Sequence, residues 1–493
     1  MIDRMIAWLA PERALRRSRA RMQLAATTRA YEAAKPLDRH SDWYTPGTSA
    51  QAEVGPAWGR LVARSRDLVR NNAYAARAVD VRVGSEIGTG ITPRFKTGDA
   101  SRDDVLQTMW ERWAETSACD ADGEHDIYGL QALADRTLIE SGEVLIRFRT
   151  RRMADGLPVP LQLQVMEGDY LDRSRDGRQQ PNTNNTVVDG VEFDPLGRRV
   201  AYWLFNEHPG SSHPSFLTRQ RLESRRVRAS EILHIYRKRR PGQIRGVPDL
   251  APVINRLRDL DDYHNAVLMR AKIEACLTAF VTEPDDDNAS GPLERTTDPA
   301  GQHSFSPGQI NKLRPGEDVK INEPTGSGAH GEYTRSELQA IAVGVGVTYD
   351  QLTGDLRQAN YSSLRAGRIE IRRQIEQLQW SILIPRLCQP IADEFVRVGA
   401  IAGLWPDGPS YAEWMPPAPE LVDPKKDHDA VHNMMADGLL SWGQAVQSQG
   451  YDPEAQLSDI AHWKRRFEEE GISMTFIQSD DEAPPATPDN GED

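Results

Sequence analysis

The sequence predicts an α+β fold, mostly helical, with a small antiparallel sheet in its first half. Three observations carry this. Apolar residues recur at three- and four-residue spacings over long stretches such as 55–83 and 249–275. Short runs rich in β-branched and aromatic residues crowd between 143 and 238, separated by Pro, Gly and Asp. At 493 residues the chain is too long for one compact core, so several lobes are expected.

Residues 1–40 carry nine Lys/Arg against four Asp/Glu, in a helical stretch reaching about residue 34. Residues 55–83 read as a helix with Leu61, Leu68, Ala75 and Val79 near one face and Asn71-Asn72 placed to interrupt it. Two helices follow over 101–117 and 127–141, the second ending at Ser141-Gly142. Strands are predicted over 143–149, 161–167, 187–193, 199–205 and 231–238, in one antiparallel sheet. The turn Asp194-Pro195-Leu196-Gly197 reverses the chain between two of them. Pro241 and Gly242 then stop the sheet, Gly246 permits a tight approach, and Pro248 suits a first helical turn, where the N–H has no partner anyway.

The helix launched there, from Asp249 to about Ala275, spans roughly 40 Å at 1.5 Å per residue. Leu250, Val253, Ile254, Leu257, Leu260, His264, Val267 and Ala271 form its apolar side, and Arg256, Asp259, Asp262 and Arg270 the other. Residues 282–332 are rich in Pro, Gly, Asp and Ser and read as a small protruding module with strands near 309–313 and 317–322. A helix over 333–345 is followed by loop chemistry at 347–363. The long helix 364–400 contains Pro385 and Pro390, which must kink it. A last helical region spans about 424–470. From Phe476 to Asp493 there are six acids, three prolines and no base, a composition that favours disorder.

Composition narrows the function. No apolar run approaches the ~20 residues of a membrane span, and the short N-terminal apolar burst lacks a cleavage signal. Cys119, Cys276 and Cys388 are odd in number and widely spaced, which excludes a disulfide framework and suits buried small hydrophobes. The net charge of −13 argues against a protein that grips DNA along its surface, though not against one that works beside DNA without adhering.

Candidate chemistry is sparse. In HDAVH, His428 and His432 stand four residues apart as in a zinc-protease helix, with Asp423 and Asp427 as further acids. Asp429 replaces the longer Glu that would act as base, so two surface histidines are the simpler account. Asp259, Asp261 and Asp262 suggest a Mg²⁺ site, but on a helix Asp261 points away from the other two. IGTGI lacks the third glycine of a dinucleotide loop, and no phosphate-binding GxxxxGK[ST] occurs. The basic block 219–245 holds ten Arg/Lys with few aromatics interleaved, which favours a salt-bridged subunit surface over nucleic-acid binding. Arg237, Arg239, Arg240 and Arg245 are its candidates for a subunit interface.

The order of several strings resembles the portal proteins of lambda-like tailed phages. They are RSRDLVRNN (64–72), IGTGI (87–91), WERWA (110–114), CDADG (119–123), SGEVLIRF (141–148), GVEFDPLGRRVAYW (190–203), HIYRKRRPGQIRGVPDLAPVI (234–254), GVTYDQLTGDLRQANYSSLRAG (346–367) and VDPKKD with ADGLLSW (422–442). The resemblance implies a non-enzymatic homo-oligomeric ring, typically of twelve subunits, at one capsid vertex of the virion and assembled in the bacterial cytoplasm. Double-stranded DNA passes through its channel without tight binding. Terminase large subunit, a head-tail connector protein and the major capsid protein are the implied partners; no cofactor, metal or membrane is.

It also implies a portal fold with crown, wing, stem and clip. The basic segment 1–39 would be subject to trimming. The wing would span 40–246, the stem 247–276 and 333–346, and the clip 277–332. A tunnel loop at 347–363 would place Asp350, Gln351, Thr353, Asp355, Arg357, Gln358 and Asn360 at the DNA. The kinked helix and wing closure would span 364–419, the crown 420–472 and an acidic tail 473–493. On the stem, Arg256, Asp259, Asp262 and Arg270 would line the channel. The alternative from the residues alone is a metal-dependent hydrolase built on HDAVH.

Overall fold

The computed structural model describes residues 47–177, 184–211, 223–275, 280–282, 311–313, 330–357, 361–418 and 423–472. The chain divides into two units, Met1–Glu53 and Val54–Asp493. Of the first, only residues 47–53 are described; there Thr48 donates a hydrogen bond to Glu53 at 2.7 Å. The expected basic N-terminal helix and the acidic tail lie outside the described residues.

Helix α1 (Ala50–Asn71) and helix α2 (Ala73–Glu86) are separated by the single extended residue Asn72. Its side chain explains the break. The amide oxygen accepts from the Ala75 N–H at 2.9 Å, an N-cap, while the amide nitrogen donates to Asp261 at 2.8 Å. Strand β1 (Thr92–Lys96), helix α3 (Ala100–Ala114) and helix α4 (Ile127–Ser141) follow. Gly142, at φ 85°, caps α4 in the left-handed region where glycine is unstrained.

Strands β2 (Glu143–Thr150), β3 (Leu161–Glu167), β4 (Thr186–Val188), β5 (Val191–Phe193), β6 (Arg199–Phe205), β7 (Ser224–Arg228) and β8 (Ile232–Tyr236) make two antiparallel sheets rather than the single one expected. One runs β3-β2-β8 and the other β4-β5-β6-β7. The expected strand 187–193 is instead a hairpin, because Asp189 and Gly190 both take positive φ (48° and 84°), the geometry of a tight reversing turn. Between β7 and β8 a short 3₁₀ turn, Ala229–Glu231, carries the chain from one sheet to the other. Leu145, Met166, Tyr202, Val227 and Ile232 fill the core that joins them.

Helix α5 (Ile254–Ala275) begins five residues later than the sequence suggests, after successive turns over 248–253. Strands β9 (Phe280–Thr282) and β10 (Asn311–Leu313) pair in parallel. The second falls on the expected 309–313 strand, whereas 317–322 lies outside the described residues. Helix α6 (His330–Val345) and the short helix α7 (Tyr349–Thr353) lead to a long helical run. That run is α8 (Tyr361–Leu378), a π-helical stretch Gln379–Cys388, and α9 (Gln389–Ile401). Pro385 sits inside the π stretch and Pro390 is the second residue of α9; because the helix runs on without a break, each lacks the N–H that would bond a carbonyl of the preceding turn. Strand β11 (Tyr411–Met415) then returns to pair with β1. Helices α10 (Pro424–Ala436), α11 (Trp442–Ser448) and α12 (Pro453–Glu469) complete the chain.

Two further cores organise these elements. Phe95, Trp110, Trp113, Phe395 and Trp405 meet ring against ring in the first, where α3, the β3-β2-β8 sheet and α9 converge. Each buried indole N–H of Trp113 and Trp405 finds a backbone carbonyl, that of Leu161 at 2.8 Å and that of Val396 at 2.9 Å. The second core unites α2 and α4 with α5, α6 and α7 through Val79, Ile139, Leu257, Leu260, Ile341 and Leu352. Among the described side chains of α5, full burial ends at Leu260. Beyond it Leu268 and Met269 are more than half exposed.

Cys119 and Cys388 are buried, as expected for small hydrophobes. Burial pushes the Cys119 thiol up to about 12, helped by Asp120 and Asp126, and raises that of Cys388 as well. Cys276 lies outside the described residues.

Candidate functional site

The stretch RPGQIRGVPDL, 240–250, follows β8 and is where the charged residues of the chain converge. Arg245 is fully buried and donates to the Glu143 carboxylate through Nε at 2.7 Å and through a second guanidinium nitrogen. It also reaches the carbonyls of Gly168 (2.9 Å) and Asp189 (3.3 Å) and lies 4.2 Å from the Trp58 ring. The other Glu143 oxygen accepts from the Gly246 N–H at 2.7 Å and from His234 Nε2 at 3.1 Å.

Sequence sets this up locally. Glu143 begins β2 immediately after the Gly142 cap, and a Cβ on Gly246 would overlap the Gly142 carbonyl. Only two glycines let the backbones approach this closely. Burial raises the pKa of Glu143, but Arg245 and then His234 outweigh it and hold the carboxyl at about 2. Burial lowers His234 to about 4, against the pull of Glu143. The resting state is therefore an ionised Glu143–Arg245 pair beside a neutral imidazole.

A second cluster adjoins the start of α5. Asp249 accepts from Arg82 at 2.7 Å and Arg239 at 2.6 Å and pairs with Arg237 at 3.2 Å. Glu86 pairs with Arg82 at 2.8 Å and Arg237 at 3.3 Å. Asp135 is wholly buried beside them with neither carboxyl oxygen hydrogen-bonded. Burial, then Glu86, raises its pKa well above the carboxylate range and favours the protonated acid. These contacts correct the expectation of a subunit interface for Arg245, which has no surface to offer a neighbour. Arg237 and Arg239 spend their charge on Asp249 inside the subunit, while Arg240 stands exposed on the turn. They also explain the delayed helix start: Pro248 and Asp249 are buried in the joint.

The segment 347–357 is built rather than loose. Thr348 caps α7, with Gln351 N–H donating to its hydroxyl at 3.3 Å and the Gln351 side chain accepting from Thr348 N–H at 3.1 Å. Gly354, at φ 69°, closes the helix, and Leu352 is buried in the second core. Thr353 turns its hydroxyl back onto the Tyr349 carbonyl at 2.7 Å, and Arg77 holds the Gln351 carbonyl at 3.2 Å. Asp350 is half-buried. Arg357 grips Asp355 with two nitrogens at 2.9 and 3.0 Å, which keeps that carboxyl at about 2. Gln358 and Asn360 lie outside the described residues.

On α5, Arg256 crosses to Glu337 on α6 at 2.8 Å, and Arg258 pairs with Asp262 at 3.3 Å. Asp259 is exposed and Arg270 half-buried. Asp261 is held by Asn72, so the three acids of this helix do not converge. His428 and His432 are exposed on α10; Asp423 caps that helix and Asp427 pairs with Arg365 at 3.1 Å. Among the described residues the one group of ligand-type side chains within mutual reach is Glu167, Asp169 and His208, elsewhere in the chain. There Arg66 already supplies positive charge, at 3.0 Å from Glu167 and 2.7 Å from Asp169. The C-terminal helices are different in kind. Leu439, Trp442, Tyr451, Leu457 and Trp463 are all exposed, and only Ala445 among the residues of α10, α11 and α12 is buried.

The family is set by sequence. The family model described as "Phage portal protein, lambda family" matches residues 37–379, and the chain belongs to that family. The probable portal protein of Halomonas phage phiHAP-1 is 27% identical over 471 residues, covering 91% of this chain and 89% of the relative. Portal protein B of Escherichia phage lambda is 24% identical over 364 residues, 66% of each chain. Among solved structures, a virion of a native gene transfer agent particle matches with TM-score 0.40 at 14% identity, covering 80% of this chain and 95% of that one. A neck of the native particle, computed with C12 symmetry, matches with TM-score 0.39 at 14% identity, covering 79% and 94%. Likeness at that level bears on neither mechanism nor partners.

Proposed function

We propose that this chain is the portal subunit of a phage-like particle: copies close a ring, of twelve subunits, at one capsid vertex, and DNA enters and leaves through the axial channel. The observation that carries the reading is the lambda-family match over residues 37–379. Terminase large subunit, a connector protein and the major capsid protein are the partners the reading requires.

In this assignment residues 247–276 and 333–346, which hold α5 and most of α6, form the stem, residues 277–332 the clip, and residues 420–472, which hold α10 to α12, the crown. The two-sheet lobe is the wing. The burial of α5 as far as Leu260, and its exposed residues beyond, support a helix that leaves its own core. Residues 347–363 are the tunnel loop. Its Asp355–Arg357 pair is internally neutral, and net-acidic subunits repel rather than trap phosphate, which suits a duplex that must slide.

Electron microscopy of the purified chain tests the ring directly: annular particles are expected, and a monomer at every concentration overturns the reading. Within such rings, Asp350→Ala with Arg357→Ala is the cleaner probe of the tunnel loop, since deleting the segment would remove buried Leu352. Rings that assemble normally but package or retain DNA poorly are the expected result. Unchanged packaging would remove the segment from the channel.

A further inference from the structure

A cavity of about 690 Å³ lies where β8 stops pairing with β2, lined by Arg147, Arg149, Arg151, Arg228 and Arg397 together with Glu231 and Glu394. The pairing of β2 with β8 ends at Arg147↔Ile232. Alternation along β2 puts Arg147 and Arg149 on one side and sends Phe148 into the aromatic core on the other. Arg228 enters from the end of β7 and Arg397 from α9.

Two of the five cations are occupied: Arg151 donates to Gln162 at 2.8 Å, and Arg397 grips Glu394. Arg147, Arg149 and Arg228 have no ion pair among the described residues. The Nε of Arg147 is buried without a hydrogen-bond partner. Burial, then the like charge of Arg149, depresses its pKa. Such an array is unfavourable as it stands and is relieved by an anion with oxygens for the guanidinium forks.

We infer that this arginine cavity is a docking site for an acidic peptide segment, the chain's own stretch Asp480-Asp481-Glu482 and the acids after it. Charge complementarity favours this occupant, since residues 476–493 hold six acids and no base.

The test uses the full-length chain with a photo-crosslinking amino acid in place of Gln478. Crosslinks mapped by mass spectrometry should fall on residues 147–151, 228–231 or 394–397. Their yield should drop about tenfold or more in Arg147→Gln/Arg149→Gln, the loss expected for charge-assisted hydrogen bonds. Asp480→Asn/Asp481→Asn/Glu482→Gln leaves the cavity untouched and should drop the yield equally, which separates a lost contact from a damaged cavity. Crosslinks elsewhere, or a yield unchanged in the amide variant, would overturn the inference. So would a labelled duplex oligonucleotide that binds with the same arginine dependence while no tail crosslink forms.

Discussion

The joint around Glu143 and the C-terminal helices are opposite solutions to holding a polypeptide together. At the joint, Arg245, Glu143 and His234 lie out of water and every contact is made within the chain. Along α10 to α12 and their connections large apolar side chains face outward, Leu439 between α10 and α11 with 74% of its surface exposed. The ion pair of the first region is satisfied within one subunit, with only the Nδ1 of His234 buried there without a hydrogen-bond partner among the three side chains. The second leaves apolar surface exposed on the single subunit, which neighbours in the proposed ring would cover. On that reading stability and assembly fall to different parts of the sequence, and substitutions should separate them.

The largest effect is expected at the joint. Glu143→Ala leaves Arg245 buried and unpaired and should cost about 3–5 kcal/mol in urea unfolding. The apolar double replacement Glu143→Leu/Arg245→Met should recover only part of that loss, because it leaves the buried Gly246 N–H and Gly168 carbonyl without these partners. If the single substitution costs no more than an exposed one, the joint is not what holds the lobes.

An intermediate effect comes from pH. The folded-state value of His234 is about 4 against an ordinary 6.5, so the unfolded chain takes up its proton first as pH falls. That contribution is present above 6.5 and is lost as pH drops toward 4, up to about 3 kcal/mol in thermal or urea melts. Glu143, held at about 2 against an ordinary 4.5, adds a second loss between those values. His234→Gln should flatten the upper limb and leave the lower one. A wild-type stability independent of pH between 6.5 and 4 would show that the imidazole is not buried neutral.

The smallest effect on the subunit is expected at its surface. Leu439→Ser and Trp463→Ala should shift the unfolding free energy by less than about 0.5 kcal/mol each. Sedimentation should nevertheless show weakened rings. If stability falls and assembly does not, the contrast between the two regions is reversed.

Much of this architecture is legible in the sequence because it is local. The strands 161–167 and 199–205 and the helix 127–141 fall on their expected bounds, since period and turn residues both mark them. Strand β7, Ser-Arg-Arg-Val-Arg, carries almost no apolar signal; pairing with β6 makes it a strand. Pairing of β1 with β11 joins residues more than 300 positions apart, which no periodicity records. The Asp189-Gly190 hairpin did have a signal, the Asp-Gly dipeptide, hidden inside an apolar run. At the joint, the glycines and prolines reveal a sharp turn, but not that Arg245 pairs with Glu143 102 residues earlier. A charged residue looks the same in sequence whether it faces a neighbour or a buried acid. The arginines of β2 hide likewise in a run that reads simply as a strand.

The π-helical stretch Gln379–Cys388 sets the phase of everything after it. It is tied down at both ends, by Gln379 to the Glu86 carbonyl at 2.8 Å and by Arg386 to the Tyr236 carbonyl at 2.8 Å. A wider coil advances through a smaller angle per residue, so this stretch behaves like a thread of different gauge cut into one screw. Removing one residue from it would turn α9 by roughly a quarter-turn and swing Phe395 away from the tryptophans it packs against. The spacing between Gln379 and Arg386 is therefore a rotational setting, and length here is as constrained as residue identity.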